Sequence, residues 1–116
     1  MTSAASMKYI VEVTESAEVE LDTAYRWLHE EYSPEYAARW REGLLAAVGT
    51  LETFPERCAL APEGRTLRRR IRQLLYGKRH GAYRLLFEIR DRTVYVLHIR
   101  HAARRHLNPA AESAAT

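Results

Sequence analysis

A chain of 116 residues, with 47% hydrophobic and 28% charged residues, has room for one hydrophobic core and the composition of a soluble globular domain. It contains no apolar run near the ~20 residues that span a bilayer, and no basic segment leading into an apolar stretch, as a secretory signal would require. The single cysteine, Cys58, excludes an internal disulfide. We therefore expect a cytoplasmic protein of one domain, with no membrane contact.

The net charge of +3 is distributed unevenly along the chain. Residues 1–64 contain five Lys/Arg and twelve Asp/Glu, a balance of −7, whereas residues 65–105 contain thirteen Lys/Arg and two acidic residues, a balance of +11. If the second part folds as one patch, its basic surface attracts nucleic acid or an acidic protein partner. Charge alone does not choose between these partners.

The N-terminal half predicts a strand followed by a helical hairpin. Apolar residues alternate over 8–13, which is the pattern of a strand. Thr14 is a suitable N-cap for a helix to about residue 32, and Ser33-Pro34 begins a second helix that Pro55 ends. Because almost no linker separates the helices, they must pack antiparallel. The predicted core contains Leu21, Leu28, Trp40, Leu44, Leu51 and Leu85 or Leu86.

The C-terminal half predicts three strands. After a proline-containing loop, strands are expected at about 71–76, at 82–90 and at 93–101. Regular alternation in the last strand places Tyr95, Leu97 and Ile99 on one face, and Val94, Val96, His98 and Arg100 on the other.

These elements, in the order β-α-α-β-β-β, predict an α+β fold. The helical hairpin should pack on one face of a mainly antiparallel sheet and leave the opposite face partly open. The ends, residues 1–6 and 108–116, are small and polar, so we expect them to be disordered. Residues 7–107 then form the single domain.

Three stretches in this order resemble the RelE/ParE superfamily of bacterial toxins. They are the opening "KYIVEVTESAEVELDTAYRWL", the second helix "SPEYAARWREGLLAAVGTLETFPERC", and the strands of "IRQLLYGKRHGAYRLLFEIRDRTVYVLHIRHAAR". The most specific parts are the tyrosine-arginine-aliphatic-aliphatic-aromatic run at 83–87 and the histidine-basic ending at 101–104. The resemblance implies a β-α-α-β-β-β toxin of a type II toxin–antitoxin (plasmid stabilisation) module, which works without a cofactor and is neutralised by a cognate antitoxin.

The superfamily implies two alternative toxic mechanisms. RelE-like members cut ribosome-bound mRNA, whereas ParE-like members inhibit DNA gyrase and are not nucleases. RNA cleavage needs cations for the charged phosphorane and groups that transfer protons. Arg84 and Arg104 lie where two arginines of RelE-like enzymes would lie, but the C-terminal tyrosine and the preceding lysines of those enzymes do not follow. His98 and His101 are the candidate replacements for proton transfer.

The sequence therefore favours a ParE-like gyrase inhibitor that is not an enzyme, with a RelE-like mRNA endoribonuclease as the alternative. A non-toxic nucleic-acid-binding adaptor is a weaker third hypothesis, because neither predicted helix is basic. The histidine spacing at 98, 101 and 106 matches no closed zinc pattern, so no metal site is predicted. Trp27, beside the apolar stripe, is a candidate contact for the antitoxin.

The basic residues of the C-terminal half are predicted to contact an acidic segment of the antitoxin, or the target. The predicted binding residues are Arg68, Arg69, Arg72, Lys78, Arg79, Arg84 and Arg100.

Overall fold

The computed structural model describes residues 8–78 and 81–102. The predicted order of elements is confirmed, with one short helix added in the connection before the second strand. The elements are β1 (Ile10–Val13), α1 (Glu15–Glu31), α2 (Pro34–Gly49), α3 (Glu63–Leu67), β2 (Ile71–Tyr76), β3 (Tyr83–Arg90) and β4 (Thr93–His101). Short 3₁₀ turns occupy Thr50–Glu52 and Pro55–Arg57.

The four strands form one mixed sheet in the order β1-β4-β3-β2. The pairs β2–β3 and β3–β4 are antiparallel, whereas β1 runs parallel to β4 because the helical hairpin returns the chain between them. Helices α1 and α2 cover one sheet face, as predicted. The terminal segments 1–6 and 108–116, and the predicted domain limits at 7 and 107, lie outside the described residues.

Both helices begin at the caps that the sequence indicates. The Thr14 side chain accepts a hydrogen bond from the Ala17 N–H, and its hydroxyl donates to the Val96 carbonyl at 2.9 Å. Ser33 accepts from the Tyr36 N–H at 3.0 Å, with proline in the next position. Thr14 therefore joins the start of α1 to β4 as well as capping the helix. In the described part of the chain, no helix is long and apolar enough to cross a membrane.

The core lies between the helical hairpin and the sheet, as predicted. All the predicted core residues are buried, and Leu44, Leu51 and Leu85 have no exposed surface. The Trp40 ring packs against the Tyr83 ring, with the two centroids 5.1 Å apart. This contact confirms the structural role of Trp40. The buried residues of this core are Ala17, Leu21, Leu28, Ala37, Trp40, Leu44, Val48, Leu51, Cys58, Tyr83, Leu85, Phe87, Val94, Val96 and Ile99.

The predicted faces of β4 are wrong across residue 97, because the residues after it are on the faces opposite to those predicted relative to the residues before it. The register pairs Leu86 with His98 but Phe87 with Val96, so Leu97 is an extra residue in a β-bulge. Val94, Val96 and Ile99 consequently face the main core, whereas Leu97 packs on the opposite face. A bulge reverses the alternation on one side of it, which regular spacing cannot anticipate. His98 and Arg100 still border the same side, as predicted.

Replacing Leu44 with alanine should lower the free energy of unfolding by about 2–5 kcal/mol, because it removes fully buried methyl groups from between α2 and the sheet. The adjacent Leu45 is 39% exposed and offers a matched control, for which we expect a change of about 0.5 kcal/mol. Urea unfolding of both variants measures the difference. Equal losses would contradict this assignment of the buried helix face.

Candidate functional site

The outer sheet face, opposite α1 and α2, carries a shallow groove with an apolar floor. Ile71, Leu86 and Leu97 form this floor. Helix α3 borders the groove, and its Gly64 is pressed against the chain ahead of β2: a Cβ there would lie 2.2 Å from the Arg69 carbonyl oxygen. The groove is lined by Thr14, Ser16, Glu63, Leu67, Arg69, Ile71, Leu86, Leu97, His98 and Arg100.

Arg84 is the second residue of β3, on this face, and is buried, with 3% of its surface exposed. Its two terminal guanidinium nitrogens donate to the two carboxylate oxygens of Glu63, each at 2.8 Å, and its Nε donates to Gln73 at 2.9 Å. The hydrogen bonds from Arg84 hold the pKa of Glu63 below its usual value. Arg84, a predicted binding residue, is therefore buried, and Glu63 covers its charge.

A second ion pair joins Arg69 to Glu88. The Arg69 Nε donates to a Glu88 oxygen at 3.1 Å, and Arg90 approaches the same carboxylate at 3.2 Å. The hydrogen bond from Arg69 lowers the pKa of Glu88, and the same bond raises the pKa of the Arg69 guanidinium. This predicted binding residue is thus held against β3.

A third cluster gathers around Glu20 of α1. One Glu20 oxygen accepts the Ile99 N–H at 2.8 Å, and the other lies 3.3 Å from the His98 Nδ1 and 3.7 Å from the Arg100 Nε. Strand β1 ends at Val13, so within residues 8–78 and 81–102 no strand pairs with β4 beyond Val96 on that side. The Glu20 carboxylate accepts the Ile99 N–H on that side instead of a strand.

The remaining predicted residues are dispersed. Arg72 donates to the carbonyls of Glu56 and Cys58, at 3.1 and 2.6 Å, and so holds the loop before α3. Lys78 is exposed at the end of the hairpin turn. The His101 ring packs edge-on against Tyr83 with centroids 5.0 Å apart. Arg79 and Arg104 lie outside the described residues.

Arg68 is exposed and lies in a separate basic depression beside the groove. This basic depression is lined by Leu60, Ala61, Gly64, Arg65, Arg68, Arg69, Arg70 and Ile71. Four arginines in one small area form a strongly positive surface on the described part of the protein, and one of them, Arg69, also reaches Glu88.

Sequence analysis missed Glu20 and Glu63. Both belong to the acidic half of the chain, where a carboxylate in or beside a helix has the pattern of an ordinary solvated surface. Their role depends on tertiary contacts with the sheet. Glu20 and His98 are 78 residues apart in the sequence, and Glu63 and Arg84 are 21 residues apart. The spacing of residues along the chain does not predict contacts of this kind.

The groove as a whole is an ion-paired surface with an apolar floor. Among the described residues that border it, Arg69, Arg100 and His98 each lie within 4 Å of a carboxylate, and Arg84 beneath it does too. Within residues 8–78 and 81–102, no three His, Cys, Asp or Glu side chains are grouped in a way that could hold a metal ion. The arrangement suits recognition of a partner better than stabilisation of a concentrated negative charge.

Comparison with known proteins identifies the family. The family described as "ParE toxin of type II toxin-antitoxin system, parDE" matches residues 11–106, most of the chain. The chain belongs to the ParE toxin family. The predicted resemblance to RelE/ParE toxins, and the predicted type II toxin, are thereby confirmed. By sequence, no curated protein matches this chain significantly.

The fold is also that of a solved ParE-type structure. The protein described as "Chromosomal ParDE TA system from P. aeruginosa" superimposes with a TM-score of 0.66 over 83% of this chain and 98% of that chain. The two share 18% sequence identity, so the comparison supports the α+β fold and carries no information about individual site residues.

Replacing Glu63 with glutamine should lower the free energy of unfolding at pH 7 by about 1–2 kcal/mol, because it leaves the buried guanidinium of Arg84 without its counter-charge. The Glu63 side chain is 39% exposed, so water screens part of the pair and keeps the loss moderate. Glu42→Gln, an exposed change on α2, is the control.

The Glu63 contribution should also depend on pH in a defined direction. Its pKa in the folded protein lies below the ordinary value of 4.5, so the stabilisation is complete above about pH 4.5 and is lost as the pH falls through the lowered pKa. The unfolding free energies of the parent and Glu63→Gln should therefore converge under acid conditions. Urea titrations from pH 7 to 3 test this, and a constant difference across that range would contradict it.

Proposed function

We propose that this ParE-family protein is neutralised by a cognate antitoxin and that it acts by inhibiting DNA gyrase without cleaving RNA. Inhibition of gyrase is the mechanism that the ParE side of the resemblance implies. The observation that carries the proposal is the pairing of the groove cations with carboxylates. Gyrase and ribosome-bound mRNA are both cytoplasmic, and we expect the protein to act in that compartment.

A nuclease of the RelE type would need cations available to a phosphorane on the open sheet face. Arg84, the candidate catalytic arginine of β3, is buried beneath Glu63, and a phosphate could reach it only by displacing that carboxylate. Arg69 is more exposed than Arg84, but its charge is paired with Glu88. On this face Glu20, Glu63 and Glu88 already neutralise cations that an incoming RNA would need for its phosphates.

One observation favours the alternative, a ribosome-dependent endoribonuclease. His98 is partly exposed, borders the groove with Arg100, and has Glu20 at hydrogen-bonding distance from its Nδ1. An imidazole held by a carboxylate on one nitrogen is suited to act as a general base through the other. His98 and Arg100 are therefore the residues on which a nuclease hypothesis would depend among those described.

The purified protein should inhibit DNA supercoiling by gyrase and leave ribosome-bound mRNA intact. The two assays should be run on the parent, on His98→Gln, and on His29→Gln, which changes an exposed histidine of α1. Inhibition unaffected by either change would support gyrase as the target. Cleavage of mRNA that is lost in His98→Gln but kept in His29→Gln would establish the nuclease instead.

The basic depression is the proposed landing surface for an acidic segment of the antitoxin. Its exposed arginines would steer a negatively charged partner and accelerate association, as rim charges generally do. The Arg68→Glu/Arg70→Glu double variant should slow antitoxin capture, and the defect should shrink as salt is added because screening weakens the steering in the parent. Stopped-flow association measures both effects.

The control for this measurement is Arg26→Glu/Arg41→Glu, which makes the same charge change on the exposed surface of the acidic half. An association rate that responds equally to both double variants would reflect net charge alone. A rate that responds to neither variant and not to salt would show that the antitoxin does not land on the basic depression.

A further inference from the structure

Three exposed aromatic side chains form a ladder at the tip of the helical hairpin. Trp27 near the end of α1, Tyr32 between the helices and Tyr36 in the first turn of α2 are 47%, 60% and 39% exposed. The ring centroids lie 5.9 Å apart for Trp27 and Tyr32, and 4.8 Å apart for Tyr32 and Tyr36. We call these three residues the aromatic corner. It belongs neither to the core nor to the outer groove.

Exposed carboxylates lie next to the aromatic corner along the sequence of both helices. Glu30 and Glu31 follow Trp27 by three and four residues, which places them beside it on the helix surface, and Glu35 directly precedes Tyr36. Within the described residues, none of these three carboxylates forms an ion pair. The corner is thus an apolar surface with a negative rim.

The placement of Glu30 and Glu31 conflicts with the ordinary electrostatics of a helix. The C-terminal end of a helix carries a partial negative charge and favours cationic side chains, but the last turn of α1 contains these two glutamates and only His29 as a basic residue. Local conflicts of this kind are expected at functional sites, where a partner supplies the missing compensation. The missing compensation here is a positive charge.

The chemistry of the aromatic corner therefore selects its occupant. Aromatic faces attract a guanidinium or an ammonium group through the ring quadrupole, and a planar guanidinium also stacks on the ring. The carboxylates repel the phosphates of nucleic acids and of anionic lipids. Arg39, three residues after Tyr36, adds a positive charge at the far end of the ladder, so a cation is directed towards Trp27 and Tyr32.

We propose that the aromatic corner is a docking site for a protein segment that presents an arginine, with the guanidinium stacked on Trp27 or Tyr32 and neutralised by Glu30 and Glu31. This site lies on the helical layer, whereas the groove and the basic depression lie on the other side of the sheet. The protein therefore offers a surface for a basic segment and a separate surface for an acidic one.

A peptide titration of the full chain tests this directly. The probe is an eight-residue peptide of alternating arginine and alanine, and its control contains citrulline, the uncharged isostere, in place of arginine. The chain has two tryptophans, of which Trp40 is buried, so a change in emission on binding reports mainly on Trp27. We expect a saturable change with the arginine peptide, and binding at least about tenfold weaker with the citrulline peptide.

Matched variants separate stacking from simple charge attraction. Tyr32→Leu and Trp27→Leu, the latter followed by calorimetry, should each weaken binding about fivefold or more, while Tyr32→Phe should retain it. Phe54→Leu, which changes a 64% exposed aromatic outside the ladder, should have no effect. Glu30→Gln/Glu31→Gln should weaken binding more than Glu15→Gln/Glu18→Gln at the other end of α1.

Failure of the arginine peptide to bind, equal binding of the citrulline peptide, or binding unchanged in Tyr32→Leu would each overturn the proposal. Sedimentation provides one further outcome. If the chain self-associates through the corner, and Tyr32→Leu abolishes that association without affecting the peptide, the occupant is a second copy and the proposed partner is wrong. Neither gyrase nor antitoxin is present in these experiments, so their results are independent of the toxin's target.

Discussion

The buried charge of Arg84 constrains much of the sheet's outer face. A guanidinium with 3% exposure near the start of a strand is tolerable only if its donors are satisfied and its charge is balanced. Glu63 must therefore lie over β3, and helix α3 carries it there at the beginning of its single turn. The contact of Gly64 with the Arg69 backbone lets this helix approach closely enough. This one pair determines the position of α3, which forms one wall of the groove. It also leaves no free cation at Arg84.

The charge asymmetry of the sequence is partly cancelled by the fold. Glu20 and Glu63 come from the acidic first part of the chain and meet Arg84, His98 and Arg100 of the basic second part. The charge that remains exposed is more localised than the sequence suggests. The positive surface concentrates around residues 65–70, and a negative surface remains at the tip of the helical hairpin.

Most of the fold could be predicted from local signals. Thr14 and Ser33 cap their helices through geometry that depends only on neighbouring residues, so both helix starts were predicted correctly. The faces of β4 could not be predicted from the sequence, because Val94 and Val96 are as apolar as Tyr95 and Leu97. The bulge that decides which residues face the core arises from pairing with β3. Arg84 was identified as a site residue, but its burial depends on Glu63, whose role no local pattern reveals. The function of the candidate site residues thus stays a prediction, and the sequence did not indicate that their charges are paired with carboxylates.

The Glu20 carboxylate has a consequence for how the protein behaves among other copies of itself. Beyond Val96, no described strand pairs with β4 on the side of β1, and an uncovered stretch of backbone at a sheet margin is a template for intermolecular pairing and fibrillar aggregation. Glu20 occupies the Ile99 N–H and places a negative charge at that margin. A strand from another molecule would have to break this hydrogen bond and bury the Glu20 charge. One side chain of α1 therefore opposes aggregation at the part of β4 that β1 is too short to cover.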